Sequence, residues 1–295
     1  MQHAIIITAY KNIEHLIKIA TFFNYDNFKI YIHIDRKSKV SASDTEKLSQ
    51  IKSIELISQK YKINWGGINH LKAILHLSEE ALKDSSNEYI HLITGHDYPI
   101  KSCKNIDSFI YNNKGKEFME VQKLPYERWP HGGLDRIEQY NFYDYLNGRS
   151  GFGRVFIALT KKLQTLIKFK RKLPKWFPPL YGGSTYWTLS SECVKYVLQH
   201  TNSNPAYLAR FKYSFCSEEI FFQTLIMDSP FKHNVVNNNL RFIFWKERNG
   251  NFPANLDDSD FESLINSDAL FARKFEYPVS QSLLNEVDNY LKGKQ

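Results

Sequence analysis

Residues 28–35, Phe-Lys-Ile-Tyr-Ile-His-Ile-Asp, indicate a largely buried strand that ends in an acidic residue. Short apolar strands and amphipathic helices alternate on both sides of this stretch. The predicted strands are 4–9, 54–57 and 89–93, and the predicted helices are about 13–23 and 68–83. Strands alternating with helices of this length predict an α/β fold with a mostly parallel central sheet and helices on both faces.

The acidic residues Asp35 and Asp97 each follow a predicted strand, Asp97 at the end of the turn Gly95-His96-Asp97. In open α/β sheets, ligands bind outside the carboxyl ends of the strands, so both acids are candidate site residues. Beyond about residue 115 the pattern is less regular, with further strands predicted at 118–121 and 186–189. No convincing linker divides the chain, and a single domain over 1–295 is predicted.

The net charge of +8, from 39 Lys and Arg against 31 Asp and Glu, suits an anionic partner such as a nucleotide, an acidic glycan or an anionic membrane. Zinc-finger spacings, RNP-like aromatic runs and Arg-rich arms are absent from the sequence, so no nucleic-acid partner is predicted. The three cysteines, Cys103, Cys193 and Cys216, are far apart and odd in number. They are interpreted as buried thiols in a reducing compartment.

A basic segment at residues 155–178 lies within a stretch, from Asp144 to Glu192, that contains no acidic residue between its ends. Leucines such as Leu159 and Leu163 recur in it at helical spacing. Such a helix can lie on an anionic membrane surface, or it can be a solvated helix that packs its leucines on the core. Because no apolar run is long enough to span a bilayer, we expect a cytoplasmic protein with at most peripheral membrane contact.

Two adjacent carboxylates, Glu218 and Glu219, open an apolar helical pattern. Acids are favoured at a helix N-terminus by the helix dipole, so a purely structural role is one interpretation. The other is that one carboxylate lies at a cleft and takes a proton from an attacking hydroxyl. Spacing alone does not choose between them.

Two further segments carry candidate binding residues. Arg273 and Lys274 lie beside aromatic residues and can neutralise a departing diphosphate, although a basic dipeptide is more often solvated surface. The turn Gly182-Gly183 runs into an aromatic strand, and can either let the backbone approach a ligand or form a structural bulge.

No metal site is predicted. The Asp-x-Asp pattern of Asp258 and Asp260 lies in a polar loop without a preceding apolar strand, and Asp35 is followed by two cations. Walker, Gly-x-Gly-x-x-Gly and His-Glu-x-x-His motifs are absent from the sequence, and no cofactor is expected.

Taken in order, these pieces resemble the core-2/I-branching and peptide O-xylosyltransferase family of glycosyltransferases. The resemblance covers roughly residues 4–276. Its motifs are residues 31–37 (Tyr-Ile-His-Ile-Asp-Arg-Lys), 64–67 (Asn-Trp-Gly-Gly), 92–100 (Leu-Ile-Thr-Gly-His-Asp-Tyr-Pro-Ile), 183–189 (Gly-Ser-Thr-Tyr-Trp-Thr-Leu), 218–224 (Glu-Glu-Ile-Phe-Phe-Gln-Thr), 240–245 (Leu-Arg-Phe-Ile-Phe-Trp) and 271–276 (Phe-Ala-Arg-Lys-Phe-Glu).

The resemblance implies a GT-A-like nucleotide-sugar fold, inversion at the anomeric carbon and no need for a divalent metal. It implies a nucleotide-binding half at about 1–115 and an acceptor and catalytic half at about 116–295. By position, the general base falls on Glu219. The implied donor-binding residues are Asp35, Arg241, Arg273 and Lys274, and the implied substrate-binding residues are Trp65, Asp97, Ser184, Tyr186, Trp187 and Glu218.

The expected donor is a UDP-sugar carrying N-acetylglucosamine or xylose, and the expected acceptor is a cell-surface polysaccharide or a lipid-linked oligosaccharide. Three alternatives stay open: a metal-dependent transferase using Asp258 and Asp260, a noncatalytic nucleotide- or glycan-binding protein with the same fold, and a nucleic-acid-binding protein.

Overall fold

The computed structural model describes residues 1–293 and contains a seven-stranded sheet flanked by helices. The strands are β1 His3–Ala9, β2 Phe28–Ile34, β3 Ile54–Ser58, β4 Tyr89–Thr94, β5 Asp97–Pro99, β6 Glu117–Met119, β7 Gln122–Lys123, β8 Tyr181–Gly182, β9 Trp187–Ser190, β10 Val235–Asn237, β11 Arg241–Ile243 and β12 Phe271–Arg273. The helices are α1 Ile13–Phe22, α2 Ala42–Ser49, α3 Asn69–Leu82, α4 Cys103–Asn112, α5 Asp135–Glu138, α6 Gly151–Leu166, α7 Ser191–Ser203, α8 Pro205–Arg210, α9 Glu218–Met227, α10 Phe261–Ile265 and α11 Gln281–Lys292. Short 3₁₀ turns occur at Pro130–Gly133, Phe142–Asp144, Pro230–Asn234 and Asp258–Asp260.

The central sheet has the order β10-β6-β9-β4-β1-β2-β3. Strands β3, β2, β1 and β4 are parallel to one another, and β9 is antiparallel to both β4 and β6. The predicted α/β class with a mostly parallel sheet is therefore confirmed. Because β9 and β10 come from the second half of the chain, both halves of the sequence build this one sheet.

Helices cover both faces because successive side chains of a strand point to opposite sides. In β1, Ile5 and Ile7 join one core cluster, which also contains residues of α1, α4 and α11. Ala4 and Ile6 join the other, which contains residues of α3, α7 and α9. Burial on both faces explains why the strand is an almost continuous apolar run.

The three cysteines are buried and free, as predicted. Within residues 1–293, the helices include none that combines the length and the apolar character required to cross a bilayer.

Candidate active site

A small sheet with the order β11-β12-β5 brings a buried carboxylate beside a cation. Strands β12 and β5 are antiparallel, with Arg273 opposite Asp97 in the register. Arg273 Nη1 lies 3.7 Å from Asp97 Oδ1, and Asp97 Oδ2 accepts the Thr94 N–H at 2.6 Å. Burial raises the pKa of Asp97, although the charges of Arg273 and Arg241 oppose the shift.

The cations Arg273 and Lys274 lack partners that would neutralise them fully. The Arg273 guanidinium lies 4.5 Å from the centroid of the Tyr186 ring, and its Nε and Nη1 are buried without a hydrogen bond. Lys274 makes no ion pair within residues 1–293. Burial lowers the pKa of Lys274, and the charges of Arg273, Lys11 and Arg149 lower it further while Glu276 opposes them. Neighbouring cations that destabilise one another form a site that an anion would stabilise.

Arg241 has a different environment. Its Nη2 donates to the Leu92 carbonyl at 2.8 Å and its Nη1 to the Asn239 carbonyl at 2.9 Å. The guanidinium also lies 4.1 Å from the centroid of the Phe271 ring, and burial lowers its pKa to about 10. These contacts connect the small sheet to β4, so Arg241 has structural partners in addition to its place near Asp97.

The predicted carboxylate pair opens helix α9, but its two members have different partners. Glu218 is buried, and its Oε1 lies 3.0 Å from His70 Nδ1. The other nitrogen of His70, Nε2, lies 3.1 Å from Thr8 Oγ1 near the end of β1. Burial disfavours the imidazolium, but the charge and hydrogen bond of Glu218 and the charge of Glu219 outweigh it and raise the pKa of His70.

Glu219 forms an ion pair with Arg136 of α5, and its side chain remains 25% exposed. Burial of the surrounding segment and the charge of Glu218 raise the pKa of Glu219 to about 7, although Arg136 opposes the shift. Arg136 is itself held by Trp129, whose ring centroid lies 3.8 Å from the guanidinium carbon. Glu219 is therefore the accessible member of the pair, and its pKa lies in the range of a general base at neutral pH.

Arg273 and the Glu218–His70 pair share one electrostatic environment, because the charge of Arg273 acts on His70 and opposes the rise in its pKa. On the rim, Trp65 is 51% exposed, and the Arg149 guanidinium lies 5.6 Å from the centroid of its ring. The charge of Arg149 acts in turn on Lys274.

The glycine turn positions the carboxylate pair. The N–H of Gly183 donates to the Glu219 carbonyl at 2.9 Å. A Cβ atom on Gly183 would lie 1.9 Å from the Glu120 carbonyl oxygen, so only glycine fits between these two segments. The close approach made by this turn is thus to protein backbone. Next along the chain, Ser184 Oγ accepts a hydrogen bond from Asn239 Nδ2 at 2.8 Å.

The structure separates Tyr186 from Trp187. Tyr186 lies beneath Arg273, at the cation pair. Trp187 is fully buried and packs against Phe222 at 5.2 Å between ring centroids. It therefore has no free face for a sugar, and the sequence-based placement of this residue at the site does not agree with its position.

Asp35 lies at the end of β2, as predicted, but its carboxylate is engaged. Oδ1 accepts the backbone N–H groups of Lys37 at 3.0 Å and Ile63 at 3.1 Å. Asp35 thus anchors the loop that leads to Trp65.

One group of side chains has the spacing of metal ligands. Cys216, Glu218 and Glu219 have potential ligand atoms within 4.8 Å of one another. The carboxylates are already paired with His70 and Arg136, and burial, together with the charges of both glutamates, raises the pKa of the Cys216 thiol well above its usual range. A neutral thiol and two paired carboxylates make a poor cation site.

Asp260, in the Asp-x-Asp pattern near the end of the chain, also has protein partners. Asp260 forms an ion pair with Arg248 and accepts the Asp257 N–H at 2.9 Å, as part of a capping box. Asp260 therefore has a structural role. This arrangement does not support the alternative of a metal held by Asp258 and Asp260.

Sequence reasoning missed His70 and Arg136. His70 follows the Trp-Gly-Gly turn, and its position just after this motif was the signal in the sequence that could have identified it. Arg136 lies in the irregular segment after residue 115, where no periodic pattern marks it.

Comparison with known proteins finds one matching family model and several relatives with similar names. The sequence model of the core-2/I-branching enzyme family matches residues 4–264. The chain is 24% identical over 290 residues to xylosyltransferase 1 of Mus musculus, covering 92% of this chain and 28% of that protein. It is 25% identical over 284 residues to xylosyltransferase oxt of Drosophila pseudoobscura pseudoobscura, covering 89% of this chain and 30% of that protein. The chain thus spans less than a third of the length of these relatives.

Among solved structures, S. aureus TarS 1-349 in complex with UDP-GlcNAc is 16% identical, with 42% of this chain and 34% of that chain covered. The TM-score of 0.32 is too low to bear on fold or ligand.

Gly183→Ala should lower the free energy of unfolding by about 1–3 kcal/mol, because the added methyl overlaps a backbone carbonyl that cannot move independently. Gly151→Ala is the matched control, since a Cβ there meets nothing within 4 Å. Urea denaturation of both variants measures the difference. Equal stabilities would show that the turn tolerates a side chain.

Proposed function

This chain belongs to the core-2/I-branching enzyme family, a family of glycosyltransferases, and we propose that it transfers a sugar from a UDP-sugar to a hydroxyl of a glycan with inversion and without a metal. One observation carries the proposal: the charges of Glu219, an accessible carboxylate with a raised pKa, and of Arg273, a cation whose Nε and Nη1 donate no hydrogen bond, both act on His70.

In this reaction, Glu219 is the general base. An acceptor hydroxyl gives its proton to Glu219, its oxygen forms a bond to the anomeric carbon, and the bond from that carbon to the diphosphate breaks. Attack from the face opposite the leaving UDP inverts the anomeric centre. Glu218 is the less suitable base, because its carboxylate is buried and bonded to His70.

Arg273 and Lys274 stabilise the departing diphosphate. Nε and Nη1 of Arg273 make no hydrogen bond, although Nη1 lies 3.7 Å from Asp97 Oδ1, so both can donate to phosphate oxygens. Lys274 supplies a charge without a competing ion pair in residues 1–293. Charges held in place before the reaction stabilise the transition state without the cost of reorganisation. Arg273 and Lys274 thus neutralise the diphosphate charge that a divalent cation neutralises in metal-dependent transferases.

The donor sugar proposed is N-acetylglucosamine or xylose, and the acceptor is a cell-surface polysaccharide or a lipid-linked oligosaccharide. Trp65, Asp97, Ser184 and Tyr186 remain the substrate-binding candidates, and Asp35 and Arg241 remain donor-side candidates. Division into a nucleotide-binding half (about 1–115) and an acceptor half (about 116–295), within one domain, also stays a prediction. So does a cytoplasmic location at the inner face of the membrane.

Glu219→Gln should lower kcat about 10²–10⁴-fold, the usual contribution of a positioned base, because the amide cannot accept the proton. UDP binding should persist, as measured by calorimetry. Glu218→Gln is the control. Its amide can still pair with His70, and we expect a smaller loss of kcat. Substantial turnover by Glu219→Gln would reject the assignment.

The pH dependence of kcat/KM should report the titration of Glu219. A base acts only when deprotonated, so kcat/KM should rise with pH, reach half its maximum near pH 7 and level off above. Arg136→Met removes a charge that favours the carboxylate, and its profile should shift to higher pH. A profile that does not move in Arg136→Met would show that another group titrates.

Transfer should continue in excess EDTA, because the diphosphate charge is met by side chains. The assay compares the chain after EDTA treatment with the same preparation given Mn²⁺ or Mg²⁺. Strict dependence on added metal would contradict the proposed mechanism and favour a metal-dependent transferase.

A further inference from the structure

Helix α6 and the residues that follow it expose an unusual amount of apolar surface. Of the 16 residues of α6, only Gly153, Ile157 and Gln164 are buried. The exposed apolar side chains form what we call the α6 stripe, and their exposed fractions are Phe152 75%, Val155 58%, Phe156 42%, Leu159 61%, Leu163 57% and Leu166 78%.

The α6 stripe is not the side of the helix that packs on the protein. At about 100° of rotation per residue, the stripe is centred roughly 120° around the helix from Gly153, Ile157 and Gln164. The interpretation that the leucines of this segment pack on the core is therefore wrong, because α6 contacts the core along a narrow edge and presents its leucines outward.

An apolar groove extends the stripe onto the rest of the protein. It has a volume of about 410 Å³. Its lining residues are Phe142, Tyr145, Leu146, Phe152, Phe156 and Tyr213. Contiguous apolar surface of this kind marks an interaction site on a monomeric protein.

The charges around the stripe have one sign. Residues 145–191 contain no Asp or Glu. Lys161 and Lys170 form ion pairs with Asp135 and Glu138. Within residues 145–191, the exposed cations that make no ion pair in the described part of the chain are Arg149, Arg154, Lys162, Lys168, Lys172 and Lys175. An apolar stripe in a segment whose own charges are all positive matches the interface of an anionic bilayer, where apolar side chains enter the acyl boundary and cations meet the headgroups.

Helix α6 also lies close to the catalytic residues. Lys161 Nζ is 3.2 Å from Asp135 Oδ2. Asp135 immediately precedes Arg136, the partner of Glu219. Lys161 Nζ also lies 5.6 Å from the centroid of the Phe215 ring, which packs on Trp65 at the rim. Lys161 lies on the side of α6 opposite the stripe, so a surface bound by the stripe lies about one helix diameter, roughly 10–12 Å, from these residues of the candidate active site.

We propose that the α6 stripe docks the chain on an anionic lipid bilayer and sets the Glu219 cleft beside the membrane surface. The acceptor is then a glycan attached to a membrane lipid, an extension that rests on the proposed transferase function. Docking itself depends only on the stripe and its cations.

Flotation of the full chain with vesicles tests the docking. We expect binding to phosphatidylcholine vesicles that contain phosphatidylglycerol, weaker binding to pure phosphatidylcholine, and a loss of binding with added salt. The variant L159E/L163E places two acids in the stripe and should weaken binding about tenfold or more. The control A158E/T165E adds the same charge at exposed positions away from the stripe and should lose less.

Three results would overturn the proposal: no binding by the unsubstituted chain, equal binding to neutral vesicles, or equal losses in the two variants. A concentration-dependent dimer that L159E/L163E abolishes, without vesicle binding, would also overturn it and assign the stripe to a second copy of this chain. UDP-induced thermal stabilisation of both variants checks that they are folded. Glu219→Gln should bind vesicles as the unsubstituted chain does, so a failure of docking and a failure of catalysis remain separate results.

Discussion

The site depends on how two adjacent, largely enclosed carboxylates acquire different partners and different roles. Burial and the charge of Glu218 raise the pKa of Glu219. Here Glu218 is paired with His70 and Glu219 with Arg136. Glu218 is buried and linked through His70 to Thr8 of β1, whereas Glu219 retains exposed surface. The same helix turn therefore supplies one positioning carboxylate and one that can exchange a proton.

This arrangement requires several distant segments to meet. His70 comes from α3, Arg136 from the short α5, and the Glu219 carbonyl is held by Gly183. The parallel sheet makes the meeting possible, since the carboxyl ends of β1, β2 and β4 lie at one edge. The irregular segment between β7 and α6 contributes Arg136, which packs on Trp129 and pairs with Glu219.

Strands β1, β2 and β4 were predictable because burial on both faces makes them mostly apolar. The individual contacts were less accessible to sequence reasoning. His70 and Arg136 are 148 and 83 positions from their carboxylate partners, and no periodic pattern encodes such separations. Trp187 illustrates a different limit: neighbouring residues of an extended segment point to opposite sides, so a motif that includes Tyr186 and Trp187 can contribute only one of them to a given face.

The excess of positive charge has two physical meanings in this molecule. Arg273 is buried, and although it lies near Asp97, its Nε and Nη1 donate no hydrogen bond. Burying such donors costs free energy, so this environment suits an anion better than it stabilises the fold. The lysines beside the α6 stripe are solvated and cost little, and a single one would indicate nothing. Their arrangement is informative because they border exposed leucines and share their segment with no acid. Burial distinguishes a site for a small anion from a surface that suits an anionic bilayer, although both contribute equally to the net charge.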